Sequence, residues 1–226
     1  KTSLPLLAGA VSGLKVLVTN DTGTMHLAAG LGVPVLALFL ATAQPWDTGP
    51  YLAGCCSLEP DLPCHPCAFD HECTQGWACR EKLPPRAAMA CLDGWLEKGR
   101  WPGVPLSGAR AWESYADADG FMCLRSLSGH ENEARTAWNM VQRAALRRFL
   151  DGLEPSFPPG VADALPEAFR APLREAFSQA AALIGMLETQ ARALQVSPRP
   201  AMREKFMAAW QRVLTLETEP NKAGYA

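Results

Sequence analysis

The sequence has almost no net charge: 21 lysines and arginines stand against 23 aspartates and glutamates, a balance of −2 with a pI near 6.1. A partner selected by a global basic field, such as nucleic acid, is therefore not expected. No run of about 18 apolar residues is present, which excludes an ordinary membrane-spanning helix. The N-terminus has no charged, apolar and small-residue regions in secretory order, so the expected location is cytoplasmic. Internal repeats and low-complexity tracts are also missing. A chain of 226 residues with 48% hydrophobic residues is left as one large or two smaller globular domains with a core of their own.

Glycine, proline and cysteine are plentiful, and their positions divide the chain. Leu4 to Ala10 repeats its apolar residues at helical spacing, and Gly13 ends that segment before the strand-like Val16, Leu17 and Val18. The unbroken hydrophobicity there predicts a parallel strand covered on both faces. Met25 to Leu31 reads as a helix closed by Gly32, and Val33 to Phe39 as a second buried strand. The order strand, helix, strand implies a parallel pair with a crossover. Lys1 is not Met and the helical pattern begins at once, so the chain is expected to be a fragment of something longer.

Between Leu40 and Leu83 the periodicity stops and a long loop region is expected. Pro84-Pro85 then opens a helix whose apolar face is Ala88, Cys91, Leu92, Trp95 and Leu96. WESY and FMCL flank Asp117 to Gly120 and predict a β-hairpin. Three helical patterns follow, about 131–153, 162–195 with a break near Pro172, and 200–217. The first interleaves Trp138, Phe149 and Leu150 with Arg143, Arg147 and Arg148. Core packing with a solvated basic edge is the ordinary account, and contact with a membrane surface or anionic acceptor is the functional one.

Chemistry concentrates where the first strand turns into its helix, at Asn20-Asp21-Thr22-Gly23-Thr24-Met25-His26. Ligands of open α/β sheets bind outside the carboxyl ends of strands. Gly23 admits close backbone approach, the free N–H groups of the next turn suit a phosphate, and Thr22 offers a hydroxyl. A carboxylate at Asp21 suits sugar hydroxyls instead, with His26 one turn along and able to donate to a phosphate oxygen. Together these describe a nucleotide sugar. The competing account is a plain helix cap at Asp21 and Thr22, with His26 at the edge of a core.

The eight cysteines include Cys64, Cys67, Cys73 and Cys79, with two, five and five residues between successive thiols. Zinc takes four such ligands, and Cys64-x-x-Cys67 makes a half-site, but no second short pair follows. His65 and His71 are alternative ligands, and Cys55-Cys56 is too crowded to serve. Free thiols stabilising a loop and disulfides are the other readings. A thioredoxin-like site fails for want of an adjacent strand and helix.

The run from TSLPLL through VTNDTGTMHLAAGLGVPVLALF to TGPY at Thr48–Tyr51 resembles the C-terminal domain of the heptosyltransferases, glycosyltransferase family 9, over about residues 1–100. The resemblance implies an α/β, Rossmann-like C-terminal half of a GT-B glycosyltransferase with a cysteine-rich loop, a β-hairpin and an appended α-helical region. It implies divisions at 1–107 (nucleotide-sugar-binding), 108–128 (hairpin connector) and 129–226 (helical extension). The implied reaction is metal-independent inverting transfer from a nucleotide sugar such as ADP-heptose to a lipopolysaccharide core or related surface glycan. Asp21 would contact the sugar, and Thr22, Gly23, Thr24 and His26 the diphosphate. Thr42 and Thr48 are further polar contacts, although Leu40-Ala41-Thr42 departs from the family's Gly-containing turn.

No catalytic residue is expected in this chain, because the family's general base and main phosphate-binding lysine lie upstream of the motif. The implied partners are the donor, a glycolipid or surface-glycan acceptor, the N-terminal GT-B domain and peripherally the inner face of the membrane. No cofactor is required, zinc being an option only at the cysteine cluster, and the isolated chain is expected to be inactive. Two other classes stay open: a non-catalytic zinc- and partner-binding module, and a nucleotide-sugar epimerase of related fold.

Overall fold

The computed structural model describes residues 2–67, 72–103, 106–154, 156 and 160–217. The chain divides into two compact units, Lys1–Thr136 and Ala137–Ala226.

The first unit is built on helix α1 (Leu4–Ser12), strand β1 (Leu17–Asn20), helix α2 (Gly23–Gly30), strand β2 (Val35–Leu38), the single turn α3 (Pro45–Thr48) and strand β3 (Cys56–Pro60). Helices α4 (Ala78–Lys82) and α5 (Pro85–Lys98) and strands β4 (Ala109–Ala116) and β5 (Met122–Ser126) complete it. The sheet runs β1-β2-β3-β4-β5, with β1, β2 and β3 parallel and β4 and β5 antiparallel to their neighbours. This mixed α/β arrangement is consistent with a Rossmann-like glycosyltransferase.

Side chains alternate along β2 and build a core on each face of the sheet. Val35, Ala37 and Phe39 join Val11 of α1 and Met25 and Ala28 of α2, whereas Leu36 joins Cys56, Leu58, Ala111 and Cys91 of α5. Two-sided burial therefore holds for β2, and fails for β1. β1 is an edge strand with Val18 45% exposed, because its outer side has no neighbouring strand among the described residues. The apolar face expected for α5 is also corrected at Leu96, which is 56% exposed, whereas Ala87, on the opposite side of the helix, is buried.

Helix α2 ends in a Schellman arrangement: Val33 N–H donates to the Ala28 carbonyl at 2.9 Å and Gly32 N–H to Ala29 at 3.1 Å. Gly32 has φ +74°, and a Cβ there meets nothing within 4 Å, so the backbone conformation alone demands glycine. Gly32→Ala is therefore expected to cost about 1 kcal/mol. A thermal melt reads this as a lowered midpoint, and an unchanged midpoint would mean that the turn has relaxed out of the left-handed region.

The loop expected over 40–83 contains β3, a correction with a clear cause. Cys-Ser-Leu-Glu-Pro has no β-branched residue and carries a carboxylate and a proline, yet all five residues are buried. Its polar groups are satisfied by residues distant in sequence, which local patterning cannot reveal. The anticipated strand pair is present as β4 and β5. Asp117 Oδ1 closes its turn by accepting the N–H groups of Asp119 (3.0 Å) and Phe121 (2.9 Å).

In the second unit, most of α6 (Ala134–Leu150), a short 3-10 turn (Ala162–Ala164), α7 (Glu167–Val196) and α8 (Pro200–Glu217) are helical. Ala137, Trp138, Leu165, Phe169 and Leu173 form its core, with Trp138 edge-on to Phe169 at 5.3 Å. The expected break near Pro172 is absent: α7 runs through it. Pro172 lies inside α7, in its second turn, so it removes the backbone hydrogen bond to the Ala168 carbonyl without ending the helix. No helix among the described residues is long and apolar enough to cross a membrane.

Candidate functional site

The parallel register pairs Asn20 with Leu38, so β1 and β2 deliver Asp21–Gly23 and Phe39–Thr42 from the same end of the sheet. The shared end follows from parallel pairing itself and explains why two stretches separated in sequence leave the sheet side by side.

Thr22 occupies the N-cap position of α2 but makes no side-chain capping bond. Its hydroxyl lies instead 3.3 Å from that of Thr19, and the Thr22 backbone carbonyl accepts from Met25 N–H at 3.0 Å. The capping account of these residues is thus incomplete: cap geometry is present and the cap hydrogen bond is not. Gly23 is exposed, with nothing within 4 Å of a built Cβ, so the protein's own packing does not require glycine there. Thr24 is half-buried, and His26 is exposed on the following turn.

Asp21 meets Thr48, the last residue of α3, whose hydroxyl donates to Asp21 Oδ2 at 2.9 Å. That bond ties the first loop to the third across 27 positions and leaves Oδ1 available as an acceptor. Gly49 after it allows a close turn, since a Cβ there would strike the Pro45 carbonyl. Thr42 is half-buried in the turn after β2. Its neighbour Ala41, not Leu40, takes the left-handed conformation at φ +58°, and its carbonyl accepts from Cys67 N–H at 2.8 Å.

The start of the cysteine loop is therefore tied to the turn after β2. All eight cysteines are free thiols, with Cys64 exposed, Cys67 and Cys73 half-buried and Cys79 buried. Burial, and the nearby Cys64, Cys79 and Cys73, push the Cys67 thiol up. Among the described residues no group of three or more His, Cys, Asp or Glu is arranged to hold a metal ion. His71, one alternative ligand, lies outside the described residues. His65, the other, is 3% exposed and lies 3.5 Å from the Glu59 carboxylate.

A buried polar cluster under α3 escaped the sequence reading. Glu59, fully buried in β3, accepts from both terminal nitrogens of Arg135 (Nη1 to Oε1 3.0 Å, Nη2 to Oε2 2.9 Å) and from Trp112 Nε1 at 3.0 Å. Arg135 Nη2 also donates to Gln44 Oε1 at 2.9 Å, and Gln44 Nε2 donates to Asp47 Oδ2 at 2.8 Å. The only local signal was a glutamate between Leu58 and Pro60 in a short apolar run.

With this geometry established, residues 1–78 match the family described as glycosyltransferase family 9 (heptosyltransferase), and over that segment the chain is heptosyltransferase-like. Among known proteins, lipopolysaccharide heptosyltransferase 1 of Pseudomonas aeruginosa is 45% identical over 65 residues, 29% of this chain and 18% of the relative. The chain thus aligns with less than a fifth of that relative's length. No solved structure matches the chain significantly. Asp21, Thr22, Gly23, Thr24, His26, Thr42 and Thr48 all fall inside the matching segment, whereas Trp112 and Arg135 fall outside it.

Proposed function

We propose that this chain supplies the nucleotide-sugar-binding part of an inverting glycosyltransferase of GT-B architecture that acts on a lipopolysaccharide core or related surface glycan. Residues 1–107 would be the donor domain, 108–128 the connector and 129–226 the helical extension. The observation carrying the reading is the Asp21–Thr48 bond at the carboxyl end of β1. It fixes a carboxylate beside an open glycine and a threonine hydroxyl that the helix cap leaves unused.

Asp21 accepts hydroxyl hydrogens of the sugar through its remaining lone pairs. The N–H groups opening α2, the hydroxyls of Thr22 and Thr24 and the His26 ring receive the diphosphate, favoured by the positive end of the helix. Such donors stabilise charge as it develops on a leaving diphosphate. The general base is assigned to no residue of this chain, and the work proceeds at the cytoplasmic face of the membrane.

Titrating the chain with ADP and ADP-heptose while recording amide chemical shifts tests this. Shifts are expected at Asp21 through His26, with a sugar-dependent component. In Asp21→Ala that component weakens by about 10- to 100-fold, the range of a hydrogen bond to a charged group. No response at millimolar nucleotide, or responses confined to other elements, would overturn the reading.

A further inference from the structure

We propose that Arg135, acting through Gln44, is a positioning residue for the donor site: it holds α3 so that Thr48 presents its hydroxyl to Asp21. The inference rests on the donor-site reading for its functional meaning, but its structural content stands apart.

Helix α3 has four residues, too few to persist on their own local bonds. Its place must come from tethers, and two lead to one carboxylate. The polar tether runs from Glu59 to Arg135, then from Arg135 Nη2 to Gln44 Oε1 (2.9 Å) and from Gln44 Nε2 to Asp47 Oδ2 (2.8 Å). Gln44 is the N-cap residue of α3, and its carbonyl accepts the N–H groups of Asp47 (3.2 Å) and Thr48 (3.3 Å). Its side chain and backbone therefore bracket the turn. The apolar tether is Trp46, 2% exposed and edge-on to Trp112 at 5.5 Å, whose indole N–H donates to the same Glu59. At the far end of the turn, Thr48 reaches Asp21 at 2.9 Å.

Arg135 lies 57 residues beyond the family-matching segment that ends at 78, as does Trp112 beyond it by 34. The β4–β5 hairpin and the start of α6 thus do more than extend the sheet. They complete the support of a site whose own residues are all in the first 78. A guanidinium suits the task because its planar fork serves Glu59 bidentately and Gln44 at the same time, which a lysine ammonium cannot do from one point.

The test uses the full chain with Gln44→Met, which breaks the relay and leaves the Glu59–Arg135 pair intact, and with Arg135→Lys, which keeps a charge pair but loses the fork. Thr48→Val supplies the reference for a released Asp21. In ligand-free protein, amide exchange at Thr48 and Gly49 is expected to quicken in both variants, and the Asp21 and Thr48 resonances to move toward the Thr48→Val positions. ADP-heptose binding should weaken about 3- to 10-fold, the span of one neutral hydrogen bond. A role confined to stability would lower the melting temperature and leave these resonances in place below it. Resonances of Gln44→Met that superimpose on the wild type would overturn the proposal. Because that readout needs no ligand, an absent response to ADP-heptose in the wild type counts against the donor-site reading alone.

Discussion

Replacing Glu59 with leucine is expected to remove about 3–5 kcal/mol of stability from the first unit, the largest single loss considered for this protein. Glu59 is fully buried and accepts three hydrogen bonds, two from Arg135 and one from Trp112 Nε1. Leucine fills similar space but leaves a guanidinium that is 10% exposed without its carboxylate, and an indole N–H without an acceptor. The cost is that of stranding those donors, which greatly exceeds the net worth of the pair when both partners are present. Against the roughly 5–15 kcal/mol available to a typical domain, such a loss brings the unit near its unfolding midpoint. Arg135→Met alone should be comparably harmful, because it buries an unpaired carboxylate. The double variant, Glu59→Leu with Arg135→Met, should recover much of the loss, since neither charge is then stranded. Urea unfolding followed by tryptophan fluorescence and amide signals of β3 measures all three. A single-variant loss under about 1 kcal/mol, or additive losses in the double variant, would show that water reaches the pair.

The same ion pair marks the limit of what the sequence made legible. α1, β1, α2 and β2 could be read because their determinants are local: helical spacing in Leu4–Ala10, a left-handed glycine at Gly32, and an apolar run at Val33–Phe39. The Asp21–His26 stretch could be read for a related reason, since strand-to-helix junctions carry their chemistry in consecutive residues. β3 could not, because Glu59 and Pro60 break every local strand rule, and the compensation comes from Arg135, 76 positions away. Likewise, Val18 looks as buried as Val35 in sequence. Its exposure depends on which strand lies at the edge, a property of the assembled sheet. Thr48 was visible as a polar residue near the site, but its role needed α3, and α3 is held by side chains that no short window contains. Local rules thus named the groups proposed to face the donor and missed the buried polar groups packed beneath α3.

His65 carries the second large expectation, in the response of stability to acid. Burial, then the charges of Arg135 and Arg110, lower its pKa from 6.5 to about 3, with the Ala43 carbonyl opposing. Nearby Glu59 favours the protonated ring but is already committed to Arg135. The contact with the Ala43 carbonyl falls short of a well-formed hydrogen bond, and neither ring nitrogen has another partner. Well above pH 6.5 the ring is neutral in folded and unfolded chains alike and contributes no pH dependence. Below it the unfolded chain takes up a proton that the folded chain refuses until about pH 3, so stability falls with pH through that window. The slope approaches about 1.4 kcal/mol per pH unit, and at about pH 5 the loss relative to neutral pH is about 2 kcal/mol. His65→Leu removes the titration and gives up only the poor contact with the Ala43 carbonyl. Its stability at neutral pH should lie within about 1 kcal/mol of wild type, and its curve between neutral pH and about pH 5 should be flatter by about 2 kcal/mol. Denaturant midpoints measured across that range decide the matter, and parallel curves for the two proteins would mean that His65 protonates in place. The flattening would also separate this histidine from the carboxylates, whose main titration begins only at lower pH.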